Sequence, residues 1–570
     1  MARTRRRKWW FFAFLVVAVV AYATLRGSGP KIARGSWLAV DVDGSYAEGA
    51  PDGLLERLIE ERKLLVTLLA NLEKAAHDNR INGVLLRIGG IESGWAQTSE
   101  IREALAGVKT SGKRVVAFMR GDNPSANKEY YLASVADRIY LAPGGAPMLN
   151  GLAANFFFLG GMWEKADIEV EVEQIREYKT FGDMLTRRQM TPQHREMANW
   201  ILDGVNAEFV GTIAQSRGMS EEQVRSVIDA CPSSPDAFVE AGLADGVLFA
   251  DQVEDEIGGG HEPKLVKEED YTSVEPHTVG LGGGPKVAVV YASGTIAPGK
   301  SGGRSVFGVT VGAKTLGQAL KDAAEDDDVH AIVLRVDSPG GSATASDDVW
   351  RSAREARASK PLVVSMGDTA ASGGYYMSAA ADRIVADPMT LTGSIGVVFF
   401  KPEISGLLAN AGITTEAISR GRFGRLFDLT KKLDKAELGL LRAQMEHTYD
   451  LFVSRVSEGR KLSAEQVDRI GGGRVWTGRQ ALEHGLVDEL GGMRDAVRLA
   501  ARQAGIEDTA SVEVVFYPKE EGLLGRLSAL RGGAENLLPP QWAAELEKLG
   551  APALLGAGIH ALSPAVLSIR

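Results

Sequence analysis

One cysteine, Cys231, stands in 570 residues. A single thiol excludes an intramolecular disulfide and a cysteine-based zinc site. Histidine is scarce as well, at eight residues, and no His-Glu-x-x-His pattern occurs. His330 and His447 read as helix-end or surface residues. Positive charge is not in excess. The formal net charge is −10 and the body carries no basic stripe, which argues against a nucleic-acid binder. What remains is ordinary for a globular protein, with 45% hydrophobic residues. The chain is too long for one core, so about two to three domains are expected.

The sequence is written twice. SANKEYYLASVADRIYLAP, residues 125–143, matches AASGGYYMSAAADRIVADP, residues 370–388, at an offset of about 245 positions. Residues 37–46 match 286–296, and 81–90 match 329–341. MSEEQVRSVIDA followed by EAGLADGV matches LSAEQVDRIGGG followed by EHGLVDEL. The period is domain-sized, so the repeat reads as two homologous domains rather than a solenoid. The copies differ where chemistry would sit. Ser372 falls opposite Asn127, and Lys179 has its counterpart near Arg422. One copy keeps a serine and the other a lysine, which points to a composite active site with a nucleophile from one half and a base from the other.

The first thirty residues read as a targeting segment. Arg3, Arg5, Arg6, Arg7 and Lys8 precede an apolar run over residues 9–25. At 1.5 Å per residue that run reaches roughly 25 Å, the short end of a membrane span. Trp9, Trp10 and Tyr22 suit the boundary regions, and the positive-inside rule keeps the amino terminus in the cytoplasm and sends the body across. Ala21-Tyr22-Ala23 resembles a cleavage site, but the run is longer than a usual signal core, which favours a retained anchor.

The body reads as α/β. Short apolar runs such as VAVVYA, AIVLRV and GVLLRI alternate with helical patterns such as Leu65, Leu68, Leu69 and Leu72, which implies parallel strands joined by crossover helices. Thr191-Pro192 and the capping-box spacing from Asp434 to Glu437 mark helix starts. The domain reading is a basic segment and anchor over 1–30, a first copy over 31–257, a Gly-rich linker over 258–285, a second copy over 286–514, and a tail over 515–570 with no assigned role.

Three segments of the second copy and one of the first carry the chemistry. In LRVDSPGGSATASDD, Gly340 and Gly341 allow a sharp turn with N–H groups exposed before a helix, which suits an oxyanion hole; alone, such a motif is usually only a turn. In DTAASGGY, Ser372 stands at a small-residue bend before a helix, as a nucleophile needs, although alone it reads as a helix cap. In LTGSIG, Thr392 and Ser394 read either as buried turn hydroxyls or as groups that hold a base. No histidine occurs in these segments, so the base must come from elsewhere. A buried lysine can serve, because desolvation disfavours its charged form. Arginine near position 422 cannot, because it keeps its proton. Lys179 remains. A lone lysine is most often solvated, and the complementary losses across the repeat weigh against that reading here.

The blocks RVDSPGGSATAS, AASGGYYMSAAAD and LTGSIGVV, with REYKTFGD upstream, resemble the signal peptide peptidases of the SppA type in their long, two-copy form. The resemblance implies two tandem ClpP/crotonase-like domains and a membrane-bound serine protease with a Ser/Lys dyad. The family's nucleophile maps to Ser372, its general base to Lys179, its lysine-orienting serine to Ser394, and its oxyanion-hole glycines to Gly340 and Gly341. It further implies a homotetramer, remnant signal peptides as substrates, no cofactor or metal, and residence in the bacterial inner membrane with the body on the periplasmic side. Asp337 stands where the family often has Asn, and the tail after Val515 departs from the family pattern. Two other classes stay in view: a crotonase-type acyl-CoA enzyme, and a scaffold that has lost catalysis in both copies.

Overall fold

A computed structural model describes residues 32–49, 63–302, 304–305, 308–519, 558–562 and 568–569, the last two segments by their backbone alone. The anchor expected over residues 9–25 and most of the expected tail lie outside them. Among the described residues, no helix is long and apolar enough to cross a membrane.

Short Val-, Ile- and Leu-rich runs become parallel strands buried on both faces. The first copy contributes β1 (Ser36–Gly44), β2 (Ile81–Ile91), β3 (Arg114–Met119), β4 (Arg138–Leu141), β5 (Ala154–Asn155), β6 (Glu169–Ile175), β7 (Gly246–Val247) and β8 (Leu265–Lys267). Six of them form an all-parallel sheet in the order β7-β4-β3-β2-β1-β8. Helices Leu65–His77, Trp95–Thr110 and Asn127–Ala133 supply crossovers, as parallel pairing requires. Leu68, Leu72, Ile101 and Leu105 on these helices are buried against the sheet.

The second copy contributes β9 (Lys286–Ser293), β10 (Thr295–Ala297), β11 (Arg304–Ser305), β12 (Gly308–Gly312), β13 (Val329–Ser338), β14 (Gly340–Ser342), β15 (Leu362–Ala371), β16 (Arg383–Ala386), β17 (Leu391–Gly393), β18 (Val397–Glu403), β19 (Val475–Thr477), β20 (Glu489–Leu490) and β21 (Glu513–Tyr517). Its main sheet runs β19-β17-β15-β13-β9-β21, and β16 branches from β15 to reach β20. The path β20-β16-β15-β13-β9 repeats β7-β4-β3-β2-β1 strand for strand, so the α/β class and the tandem duplication are present in the fold. Thr191 accepts from the His194 N–H with Pro192 at the first helical position, and Asp434 and Glu437 form a reciprocal capping box.

Residues 258–285, read from the sequence as a linker, carry more structure than glycine and charge suggest. Their short run at Leu265–Lys267 is β8, the edge strand on β1. Tyr271 is fully buried and donates its hydroxyl to Asp78 Oδ2 at 3.1 Å.

The copies are joined by a ladder and by charge. Strand β6 of the first copy pairs antiparallel with β18 of the second, from Ile175 opposite Val397 to Glu169 opposite Glu403. Arg335 of the second copy lies fully buried between two first-copy carboxylates, 2.8 Å from Glu48 and 2.7 Å from Glu100. Asp368 accepts from the Gln97 N–H at 3.0 Å, which caps the first-copy helix Trp95–Thr110 with a second-copy carboxylate. Trp200 donates Nε1 to Val475 O at 2.8 Å and stacks on Trp476. A buried charge left without its partner costs several kcal/mol, so this cluster fixes one relative placement of the two halves.

A third sheet combines both copies with the chain's end. Strand β22 (Gly558–Leu562) completes the order β11-β12-β10-β14-β22-β18-β6, and β23 (Ser568–Ile569) pairs with β5.

Candidate active site

Ser372 follows β15 directly and turns the chain into helix Gly373–Ser378 with φ +55° and ψ −113°. A non-glycine residue in that region is strained and persists only where its surroundings hold it. Here its N–H donates to Gly393 O at 2.8 Å, and the next residue has no room for a side chain. A Cβ on Gly373 would meet Ser346 Oγ at 2.5 Å and the Gly340 Cα at 3.2 Å. The small residues after Ser372 therefore press the nucleophile's turn against the glycine turn of β14.

Lys179 is positioned by the inter-copy ladder. The ladder's last pair is Ile175 with Val397, after which Arg176 turns the chain with φ +76°. Lys179 then reaches Ser394 just beyond the other end of that pair. Its Nζ lies 2.6 Å from Ser372 Oγ, 2.9 Å from Ser394 O and 3.0 Å from Ser394 Oγ. Lys179, Ser372 and Ser394 are all fully buried. Burial alone pushes the Lys179 amine well below the ordinary lysine range, because the charged form loses its water. A neutral amine has two N–H donors and one lone pair; two donors satisfied by Ser394 leave the lone pair facing the Ser372 hydroxyl.

The seat of the lysine is cut by glycine. Gly473, at φ +87°, lies so close that a Cβ there would stand 2.2 Å from the Lys179 N. Gly396 would place a Cβ 3.1 Å from the Lys179 Cδ. Sequence reasoning passed over Gly473. The available signal was the triple glycine ending LSAEQVDRIGGG, opposite Asp-Ala-Cys in the first copy.

The other expected residues fall into place around this pair. Gly340, at φ +107°, donates its N–H to Ser338 Oγ at 3.2 Å, and Ser338 in turn donates to Gly294 O at 2.6 Å. Gly341 packs against β10 so closely that a Cβ would meet Ile296 O at 2.1 Å. Thr392 donates to Ala370 O at 2.7 Å and so ties β17 to β15, whereas Ser394 touches the amine. Asp337 accepts from the Thr369 N–H at 2.9 Å; burial and the neighbouring Glu48 and Asp368 push its carboxyl upward. His330 and His447 are exposed.

The mirror-image site is not assembled. Asn127, opposite Ser372 in the repeat, donates its amide to Ser125 Oγ, Asn150 Oδ1 and Gly151 O at 3.1, 2.9 and 2.8 Å. Arg422 is exposed, its guanidinium 5.2 Å from the Phe423 ring centre. The serine of one copy and the lysine of the other therefore make a single composite centre.

Known proteins share this organisation. A family model described as Peptidase family S49 matches residues 108–260 and 354–507, one stretch in each copy. A chloroplastic serine protease SPPA of Arabidopsis thaliana is 32% identical over 523 residues, covering 90% of this chain and 75% of the relative. Protease 4 of Salmonella typhi is 31% identical over 559 residues, covering 93% of this chain and 88% of the relative. Protease 4 of Haemophilus influenzae is 29% identical over 529 residues, covering 88% and 84%.

Proposed function

Because this chain belongs to peptidase family S49 and is a serine protease, we propose that it is a membrane-anchored endopeptidase that degrades remnant signal peptides through a Ser372/Lys179 dyad. The observation that carries the dyad is the 2.6 Å approach of the buried Lys179 amine to Ser372 Oγ.

Neutral Lys179 takes the hydroxyl proton as Ser372 Oγ attacks a peptide carbonyl. The tetrahedral oxyanion is met by backbone N–H groups beside the nucleophile. Gly341 and Gly373 are assigned this role, while Gly340, whose N–H is already donated to Ser338, shapes the turn. One such donor is worth about 3 kcal/mol of barrier. Lysinium returns the proton to the leaving amine and an acyl-enzyme remains. Neutral Lys179 then takes a proton from water, which attacks the ester and releases Ser372. Ser394 holds the amine through its carbonyl and hydroxyl, so the lone pair points at Oγ in both half-reactions.

The anchor reading rests on the basic cluster before the apolar run of residues 9–25. It places the amino terminus in the cytoplasm of a bacterial cell and the body, as a homotetramer, on the outer side of the inner membrane. The test is labelling of the full chain by a fluorophosphonate together with hydrolysis of a synthetic signal peptide, both lost in Ser372→Ala. Absence of both in the wild type would overturn the peptidase reading. Membrane fractionation and protease accessibility in spheroplasts test the topology, and a soluble product beginning near Thr24 would overturn the anchor.

A further inference from the structure

Strand β22 occupies a slot in the active centre. It pairs antiparallel with β14 on one side, Gly340 opposite Leu562 and Gly341 opposite Ala561. It pairs antiparallel with β18 on the other, Val398 opposite His560 and Phe400 opposite Gly558. Strands β14 and β18 do not pair with each other. Without β22 the sheet separates into β11-β12-β10-β14 and β18-β6, leaving two facing strand edges one strand apart, about 9–10 Å. Facing edges with unmet N–H and C=O groups bind extended peptide through its main chain.

The slot leads to the nucleophile. Gly340, opposite Leu562, packs against Gly373, the residue after Ser372. The chain direction of β22 therefore brings its carboxyl end beside Ser372, as a scissile carbonyl would arrive. Farther on, β23 pairs with β5 of the first copy, Ser568 opposite Asn155 and Ile569 opposite Ala154. The tail is thus held on the second copy before the centre and on the first copy beyond it, as the serine and lysine themselves are divided.

We propose that the segment Gly558–Leu562 is a strand lying in the peptide-substrate slot of its own chain, and that an extended substrate peptide must displace it to reach Ser372. The inference rests on the peptidase reading. Main-chain pairing on both edges makes the slot tolerant of sequence and selective for unfolded, extended chains; a helical segment must unwind to enter.

The experiment compares the full chain, a chain stopped after Ala557, and full-length Ala561→Pro, which removes one ladder hydrogen bond from an interior strand. The readouts are the rate of fluorophosphonate labelling at Ser372 and kcat/KM on a fluorogenic peptide. Both are expected to rise about tenfold in the two variants, as for a slot filled by the tail about nine-tenths of the time. Acetyl-Gly-Ile-His-Ala-Leu added to the shortened chain should inhibit it competitively. Intact mass is read first: a wild-type chain trimmed to Leu562 beside an untrimmed Ser372→Ala chain would also support the register. An untrimmed, active full chain whose rates match both variants within about twofold would overturn the inference and leave the peptidase reading standing. A full chain and variants that neither label nor cleave would instead remove the peptidase reading, and this inference with it.

Discussion

Lys179 Nζ and Ser372 Oγ meet at 2.6 Å across a sequence separation of 193 residues. The contact crosses the boundary between the two copies, and it is made by the base and nucleophile positions that each copy has alone kept.

Removal of either member should abolish turnover. Ser372→Ala, Lys179→Ala and Lys179→Arg are each expected to lose at least about a thousandfold in kcat/KM on a peptide substrate, with thermal melts that still show one cooperative transition. Arginine fails because it keeps its proton. Substantial turnover by Lys179→Arg would rule the dyad out.

Activity should rise with pH through a limb set by Lys179, because only the neutral amine accepts the serine proton. The folded pKa lies well below the ordinary lysine value, while the unfolded chain binds the proton up to that value. Keeping the amine neutral therefore costs stability most fully below the folded pKa, and the cost fades as pH rises toward the unfolded pKa. Lys179→Met should be inactive yet at least as stable near neutral pH. Differential scanning calorimetry decides the point: a clearly less stable Lys179→Met would mean a charged, paired lysine.

Ser394→Ala should slow turnover by roughly tenfold to a hundredfold with little effect on the melt. It removes one of the two Ser394 groups on the amine and leaves the carbonyl in place. Unchanged kcat would show that the carbonyl alone aims the lysine.

Gly473→Ala tests the lysine's seat. The added Cβ would stand 2.2 Å from the Lys179 N at a backbone φ of +87°. The change should cost about 1–3 kcal/mol and, by displacing the amine, roughly a hundredfold in turnover. Urea midpoints and steady-state rates separate the two effects; a fully active, stable variant would contradict the packing described.

Arg335→Met should cost about 3–5 kcal/mol, because it leaves Glu48 and Glu100 buried without their cation. Burial already raises the Glu100 pKa. Without Arg335 the loss should be largest at alkaline pH and ease as pH falls and the carboxylates take up protons. Urea melts at two pH values read this directly, and an equal loss at both would sink the explanation.

Much of this was legible in the sequence, for reasons of distance along the chain. Buried strands announce themselves as apolar runs, and the caps at Thr191 and Asp434 are local patterns. Ser372 and Lys179 stood out because each copy exposes what the other has lost. The ladder of β6 on β18 was not legible, since a strand's partner is not written in its own residues. Gly473 was missed because a glycine's neighbour can lie nearly three hundred residues away. Thr392 and Ser394 could not be separated until one was seen to bind Ala370 O and the other the amine. Strand β8 is hidden among glycines and charges, and β22 is a strand only because β14 and β18 lend it both edges.

The ladder between β6 and β18 has a temporal meaning. A ribosome releases the lysine half long before the serine half. Until β18 is made and paired with β6, the cell holds a base with nothing to activate. When the serine emerges, it has no base until that ladder forms. Neither half can cut a neighbouring nascent chain, so the enzyme is harmless through its own synthesis, and its proteolytic life begins only at the moment its two halves dock.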